Sequence, residues 1–272
     1  MADKEMSFWD HLEDLRKVLF TCAILLFVLM MGAFFLKEPI FNVIFAPLSS
    51  DFILYRGFDK VIGIFGASVP EFDVQIINYK MTAQFFTHVK VSFYVALVVG
   101  MPFLFYELWT FVRPALYPKE KKAIKGSFGF AAILFYTGVL VGYYMVLPLT
   151  VRFLGTYQVS PDVPNAIDLS SYIGIFTSLI IIMGIVFEMP ILAALLSRLG
   201  VISKEWMKQY RRHAVVVLVI VAAIITPSGD PFTLMVVSVP LYLLYELSIF
   251  VARSNKGRDL EEGEDVLEEE SE

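Results

Sequence analysis

The sequence predicts an all-α protein that crosses a membrane several times. Hydrophobic residues make up 57% of its 272 residues, whereas charged residues make up only 18%. The hydrophobic residues form six apolar segments, and crossing a hydrocarbon core of about 30 Å takes about 20 apolar residues in a helix. Composition and segment length together indicate a polytopic membrane protein.

The candidate transmembrane helices are six segments: Val18–Leu36, Val91–Val112, Gly126–Leu149, Tyr172–Leu196, Ala214–Ile225 and Phe232–Ala252. The fifth is short, because its residues at about 1.5 Å each span only about 18 Å. A thinned bilayer or length borrowed from its ends would accommodate it, and a re-entrant loop is the alternative. The sixth reaches full length only by including Pro240 and Glu246, so both last helices are predicted to be short.

Charge bias predicts that both termini lie in the cytosol. With the N-terminus inside, sixteen lysines and arginines fall in the inside segments, whereas the outside loops hold five. This distribution follows the positive-inside rule. Residues 1–253 are predicted to form a single transmembrane domain. Because nine acids fall in Asp259–Glu272, residues 254–272 are predicted to be an acidic, disordered cytosolic tail.

A helix is predicted to begin near Ser7, because Ser7-Phe-Trp-Asp10 has the pattern of a capping box. This helix leads into the first span and carries Asp14 about one turn outside the membrane. Taken alone, Asp14 is expected to be solvated or paired with a cation such as Arg16 or Lys17.

The loop from Lys37 to Lys80 lies outside under this topology. It is long and rich in phenylalanine and isoleucine. Such a composition predicts a short helix or hairpin lying on the outer membrane surface.

The stretch from Pro102 to Glu120 closes the second apolar segment. It is dense in aromatic residues, breaks at Pro114 and Pro118, and ends on an acid set among lysines. The charge bias places it at the cytosolic border between membrane and water. A carboxylate held there by prolines and aromatic residues is typical of a receptor for a cationic ligand.

Glu188 lies inside the fourth predicted span, about eight residues from its inner end, in the sequence Phe187-Glu188-Met189-Pro190. A carboxyl group in a membrane is costly and usually faces the protein interior or a wet cavity. Pro190 adds a polar group nearby, because it frees a backbone carbonyl one turn earlier. Glu188 is either a functional polar site or a structural carboxyl inside the helix bundle.

Nothing in the sequence predicts an enzyme. The histidines His11, His88 and His213 are scattered, Cys22 is the only cysteine, and no glycine-rich phosphate loop occurs. The sequence therefore predicts no catalytic residue, no metal, no cofactor and no nucleic-acid partner. Energy for any transport must come from outside the chain.

Several motifs together resemble those of the TatC family, the signal-peptide receptor of the twin-arginine translocase. In chain order they are His11-Leu-Glu-Asp-Leu-Arg-Lys17, Ala46-Pro47-Leu48, the stretch from Pro102 through Trp109, Phe111 and Pro114 to Glu120, Phe187-Glu188-Met189-Pro190, Thr226-Pro227 with Asp230, and Pro240 to Glu246. The resemblance covers the chain from about Ser7 to Arg253. It implies six spans in a concave, glove-like bundle whose groove opens to lipid.

The resemblance also implies a role for individual residues. Two acids, corresponding to Asp14 and Glu120, bind the consecutive arginines of the signal peptide, and Phe111 flanks that arginine pair. Glu107 extends the negative patch, and Glu188 lies on the groove. The family usually has Glu where this chain has Asp14, and Glu13 is the weaker alternative. Further motif positions with a structural role are Pro47, Pro102, Trp109, Pro114, Pro190, Asp230 and Glu246.

The implied setting is the bacterial inner membrane. The partners implied are twin-arginine signal peptides of folded cargo, the single-span proteins TatA and TatB, membrane lipids and further copies of the chain, with the proton-motive force as energy source. A proton-coupled small-molecule transporter that uses Glu188 is the alternative, and it predicts an internal repeat that the sequence lacks. A purely structural subunit would leave Asp14 and Glu120 unexplained.

Overall fold

The chain is mainly helical. A computed structural model describes residues 8–57, 75–112, 127–160, 162, 165–198, 200–226, 230–252 and 254. Its helices are α1 (Phe8–Phe35), α2 (Lys37–Phe45), α3 (Ala83–Val112), α4 (Ser127–Val141), α5 (Leu147–Thr156), α6 (Leu169–Val186), α7 (Met189–Arg198), α8 (Lys204–Gln209), α9 (Arg211–Ile225) and α10 (Pro231–Val251). A 3-10 turn at Ala46–Leu48 follows α2, and a π-helical turn at Gly142–Val146 joins α4 to α5. The strands are β1 (Ile76–Ile77) and β2 (Ile167–Asp168).

Five stretches of the described residues are helical, long and apolar enough to cross a membrane. They are His11–Phe35, Ala83–Phe111, Gly129–Thr156, Leu169–Arg198 and Pro231–Val251. The prediction of a helical protein that spans the membrane several times is thereby confirmed. The count of six spans and the cytosolic termini stay predictions.

The last two predicted spans differ from each other. The fifth corresponds to α9, whose 15 residues cover only about 22 Å at 1.5 Å per residue. The sixth corresponds to α10, which has 21 residues and contains Pro240 in its interior. As predicted, this helix reaches membrane length by running through both Pro240 and Glu246, and it is the shortest of the five membrane-length stretches among the described residues.

One compact unit comprises Met1–Ile133 and Leu154–Thr177. In it, α1 packs along α3. The two helices approach closely at Gly100 of α3, where a Cβ atom would lie 3.2 Å from a methyl group of Leu29 and 3.3 Å from one of Leu26. A small residue at this position therefore permits the close packing of two long apolar helices.

Hydrogen bonds in this unit join the segment after α1 to the segment around the start of α6. The hydroxyl group of Tyr172, on α6, donates to the carbonyl oxygen of Ile44 at 2.5 Å. Strands β1 and β2 pair in parallel, with Ile76 opposite Ile167. The predicted short helix in the first outer loop is present as α2, whereas residues 58–74 of that loop lie outside the described residues.

The second compact unit comprises Leu134–Phe153 and Ser178–Glu272. Helix α10 packs against α7, α8 and α9 within it. Its buried face includes Val237 and Leu241, both fully buried, and the ring of Phe232 stacks on that of Phe153 at 4.4 Å. The single domain over residues 1–253 stays a prediction, and residues 255–272 of the acidic tail lie outside the described residues.

Candidate functional site

Asp14 lies near the start of α1, on the side that packs towards α3. The less exposed residues of α1 recur every three to four positions, and His11, Asp14, Val18 and Cys22 belong to this stripe. The Asp14 side chain is 46% exposed, whereas that of Glu13 is 65% exposed. The amine of Lys17 lies 3.2 Å from a carboxylate oxygen of Glu13 and 3.6 Å from one of Asp14. Of the two neighbouring acids, Asp14 is therefore the less exposed one, on the face of α1 that packs towards α3.

Phe111 lies in the last turn of α3 and contacts the first turn of α1. Its ring stacks on the imidazole of His11, with centroids 4.4 Å apart and planes 19° apart. His11 and Asp14 are three residues apart, so they share one face of α1. The structure thus brings Asp14 and Phe111, nearly a hundred residues apart in sequence, to the place where the start of α1 meets the end of α3. We call the surroundings of Asp14, His11 and Phe111 the corner.

Glu107 lies on α3 one turn before Phe111 and is half-buried. Its carboxylate is close enough to act electrostatically on the thiol of Cys22 on α1. Glu107 and Phe111 are four residues apart and so occupy the same face of α3. This face therefore carries an acid and an aromatic ring along its contact with α1.

The remaining residues of the predicted loop site are placed only in part. Pro102 lies inside α3 with its ring exposed, and Trp109 is half-buried on the same helix. Glu120 and Pro114 lie outside the described residues. That Glu120 and Asp14 together bind the arginine pair therefore stays a prediction.

Glu188 lies where the helix that begins at Leu169 breaks. Helix α6 ends at Val186 and α7 begins at Met189. The N–H of Glu188 donates to the carbonyl of Ile185 at 3.0 Å, which is a tight i→i−3 bond. Pro190 is the second residue of α7 and is buried. Because proline has no N–H, it is tolerated at the start of a helix but not in its interior, and so it accounts for the break.

The carboxyl group of Glu188 is buried at this break. The residue is 9% exposed, and its Oε1 has no hydrogen-bond partner among the described residues. A buried carboxyl oxygen without a partner is costly. Such a group is expected to persist where the surrounding packing fixes it in place.

The described residues contain no group of three or more histidines, cysteines, aspartates and glutamates that could hold a metal ion. In the first compact unit, Asp14 and Glu107 lie where α1 packs along α3, and in the second unit Glu188 lies at the break between α6 and α7. Carboxylates at such places can bind cations or hydrogen-bond donors.

The comparison with known families decides what kind of protein this is. Residues 10–240 match a family described as "Sec-independent protein translocase protein (TatC)". This chain belongs to the TatC family. It is therefore an integral membrane protein from a family of protein translocase components.

Curated TatC proteins match the chain over most of its length. The TatC protein of Blattabacterium sp. subsp. Periplaneta americana is 37% identical over 257 residues, which cover 91% of this chain and 95% of that protein. The TatC protein of Deinococcus radiodurans is 33% identical over 250 residues, which cover 90% and 85%, respectively.

Solved structures of TatC share the fold. A crystal structure described as the twin arginine translocase receptor TatC in DDM superposes with a TM-score of 0.71 at 29% identity, covering 89% of this chain and 99% of that chain. A second structure of a TatC receptor gives a TM-score of 0.68 at 30% identity, covering 89% and 97%.

Three of the TatC motif residues make local structural contacts. Pro47 is buried in the 3-10 turn, and its carbonyl accepts a hydrogen bond from the Tyr55 hydroxyl at 3.2 Å. Asp230 caps α10, because its Oδ1 accepts the N–H of Thr233 at 2.7 Å. Glu246 takes part in an ion pair with Arg211. Pro47 and Asp230 thus fix a turn and a helix end, whereas Glu246 joins α10 to α9.

The ion pair between Arg211 and Glu246 was not predicted from the sequence. A guanidinium nitrogen of Arg211, at the start of α9, lies 2.7 Å from Oε2 of Glu246 on α10. The Tyr242 hydroxyl donates to Oε1 of the same carboxylate at 3.1 Å. The signal that could have revealed the pair is an acid at one end of the sixth span with a basic cluster before the fifth.

Breaking this ion pair is expected to destabilise the packing of α9 on α10 only modestly. Both side chains are partly exposed, at 46% and 31%, so screening by solvent limits the coupling to about 0.5–1 kcal/mol. A double-mutant cycle of Arg211→Ala and Glu246→Gln, followed by chemical unfolding in detergent, measures it. Arg212→Ala, which removes an exposed cation on the next residue, is the matched control. A coupling energy near zero would contradict the stabilising role of the pair.

Proposed function

We propose that this TatC chain is the signal-peptide receptor of a twin-arginine translocase. It binds the consecutive arginines of the signal peptide at the cytosolic end of α1 and α3, and it performs no catalysis. The observation that carries the proposal is Asp14, half-buried beside α3 and one turn from the His11–Phe111 stack. The receptor description of two solved TatC structures supports it.

The chemistry of the corner suits arginine. A guanidinium group can donate two parallel N–H bonds to a carboxylate, and its plane can stack on an aromatic ring. In the proposal, Asp14 and Glu120 accept these bonds while Phe111 lies against the arginine pair. Lys17 now pairs with both Glu13 and Asp14, but such exposed pairs are weak. An incoming arginine can therefore displace Lys17 at little cost.

The apolar part of the signal peptide is proposed to follow the membrane-facing side of the bundle. Glu107, on the face of α3 that contacts α1, extends the negative patch around Asp14 towards the membrane interior. Glu188 would lie on the groove that the family resemblance implies. Its Oε1 is buried without a partner among the described residues, and a turn of the side chain towards a hydrogen-bond donor of the bound peptide would relieve that cost.

The proposed topology has six spans in the cytoplasmic membrane, with both termini in the cytosol. Helix α9 is the fifth span, and the bilayer around it is thinned to match its 15 residues. The positive-inside distribution of lysine and arginine supports this orientation.

The chain is proposed to organise TatA and TatB, with several copies in one receptor complex and the proton-motive force as the energy source. Helices α9 and α10 are the proposed docking surface for these single-span partners. Apolar side chains on both helices are exposed, among them Val216, Ile220, Ile224, Met235 and Leu243. In a membrane such a surface contacts either lipid or another helix.

Replacing the arginine pair of the signal peptide by two lysines is expected to weaken binding about 10–100-fold. Lysine keeps the charge but cannot form the two parallel hydrogen bonds, and a charged hydrogen bond contributes about 1.5–3 kcal/mol. Titrating labelled peptides against the full-length protein in lipid nanodiscs measures the ratio. Equal affinity for both peptides would refute the receptor proposal.

A further inference from the structure

Helices α4 and α6 meet through two matching phenylalanine–glycine contacts. A Cβ atom on Gly184 would lie 2.6 Å from Cε2 and 2.9 Å from Cδ2 of Phe135. A Cβ atom on Gly138 would lie 2.8 Å from Cβ and Cγ of Phe187. Real Cβ atoms essentially never approach other atoms so closely. Each segment therefore packs a phenylalanine side chain directly onto a glycine of the other.

In both segments the phenylalanine and the glycine are three residues apart, but they occur in opposite order along the chain. Phe135-Tyr-Thr-Gly138 on α4 faces Gly184-Ile-Val-Phe187 at the end of α6. Residues three apart share one face of a helix, so the two contacts form a single interlocked pair. Phe135 is fully buried and Phe187 is 9% exposed. We call these four residues the reciprocal Phe–Gly pair.

Glu188 lies directly against this pair. It follows Phe187 in the chain, and its carboxyl group is within reach of the backbone of Phe135. Its Oε1 is buried and has no hydrogen-bond partner among the described residues. One ring of the pair thus precedes Glu188 in sequence, and the residue that carries the other ring adjoins it in space.

We infer that the reciprocal Phe–Gly pair positions Glu188 for the bound signal peptide. A glutamate side chain has several rotatable bonds, and turning towards an N–H or O–H donor of the inserted peptide would relieve the cost of its buried oxygen. The interlocked rings fix the backbone at Phe187 and so fix the direction in which residue 188 starts. The carboxyl group, buried without a partner among the described residues, thereby turns towards the peptide from one fixed position. Gly184 and Phe135 are positioning residues in this mechanism, which rests on the proposed function.

Packing alone is the competing explanation, because small residues commonly let membrane helices approach each other. It predicts that variants of the pair lose stability without a selective loss of peptide contact at Glu188. The positioning role predicts the opposite: contact at Glu188 is lost while recognition of the arginine pair is kept.

The test uses the full-length protein in nanodiscs and a twin-arginine signal peptide with a photoreactive residue in its apolar segment. Crosslinks to residues 187–190 are quantified by mass spectrometry. For Gly184→Ala we expect these crosslinks to fall about tenfold, because the added methyl group displaces the Phe135 ring. The affinity ratio between arginine and lysine peptides should stay as in the parent protein.

Two further variants make the result specific. Gly184→Ala combined with Phe135→Leu should restore the crosslinks, because leucine lacks the two ring atoms, Cε2 and Cζ, that approach the new methyl group at 2.6 and 3.0 Å. Gly174→Ala is the matched control on the same helix, since a Cβ atom there meets nothing within 4 Å. It should leave the crosslinks unchanged.

The outcomes separate this inference from the proposed function. Equal binding of arginine and lysine peptides to the parent protein overturns the receptor proposal. Unchanged crosslinks in Gly184→Ala, or failure of Phe135→Leu to restore them, overturns the positioning role. If Gly184→Ala alone does not fold, Phe135→Leu alone serves as the test. It leaves the Gly184 face uncovered, and unchanged crosslinks at residues 187–190 would then overturn the positioning role.

Discussion

Replacing Gly138 by alanine is expected to destabilise the folded protein more than any other single methyl addition to α4. The new Cβ would lie 2.5 Å from the carbonyl oxygen of Met183 and 2.8 Å from Cβ of Phe187. Neither atom can rotate away, because one belongs to the backbone and the other is fixed to it. Overpacking of this kind costs about 1–3 kcal/mol, and more where the backbone must move. Thermal unfolding in detergent, with the yield of monodisperse protein, measures the effect.

Gly129→Ala is the matched control on the same helix, because a Cβ atom there meets nothing within 4 Å. It should leave the unfolding temperature nearly unchanged. Combining Gly138→Ala with Phe187→Leu should give no rescue, since the Met183 carbonyl and the Cβ at position 187 both remain. A Gly138→Ala protein as stable as the parent would show that α4 and α6 are packed less closely than the structure indicates.

The membrane-spanning architecture was predictable because the hydropathy of the sequence alone indicates it. Long apolar runs have to be helical in a bilayer, where each backbone polar group needs a partner within its own segment. Helix ends were less predictable. The third helical stretch continues to Thr156, past the predicted end at Leu149, because hydropathy does not register where a helix runs beyond the apolar core.

Irregularities inside the spans were only partly predictable. Pro190 predicts a freed backbone carbonyl one turn earlier within a continuous span, whereas the structure breaks the helix at Phe187 and Glu188. The π-helical turn at Gly142–Val146 was not predicted. It immediately precedes α5, whose second residue is Pro148. A proline in a membrane helix can be accommodated by a local π adjustment, a kink or a break, and sequence does not decide among them.

The residues of the proposed site follow from sequence motifs, but their arrangement does not. Motifs single out Asp14 and Phe111, yet their common position depends on how α1 and α3 pair. The His11–Phe111 stack joins residues a hundred positions apart, and no local pattern encodes such a contact. The reciprocal Phe–Gly pair was missed for the same reason: each half is an ordinary three-residue spacing until the two helices face each other.

Replacing Asp14 by asparagine is expected to lower the affinity for a twin-arginine peptide about 10–100-fold. The substitution removes the charge but keeps the size of the side chain, and a charge-assisted hydrogen bond contributes about 1.5–3 kcal/mol. The affinity for the peptide with two lysines should fall much less, since that peptide does not make the paired bonds. Titrating both peptides against the full-length protein in nanodiscs measures each change.

Glu13→Gln is the decisive control for this prediction, because it removes an equal charge one residue away. Glu13 and Asp14 both contact Lys17, so a general electrostatic effect would lower affinity equally in the two variants. Only Asp14 belongs to the stripe that faces α3, and therefore only Asp14→Asn should lose affinity selectively for arginine. If Asp14 and Glu120 each bind one arginine independently, their losses should add in the double variant. A larger loss of affinity in Glu13→Gln would place the arginine site on the face of α1 that points away from α3 and would exclude Asp14 from it.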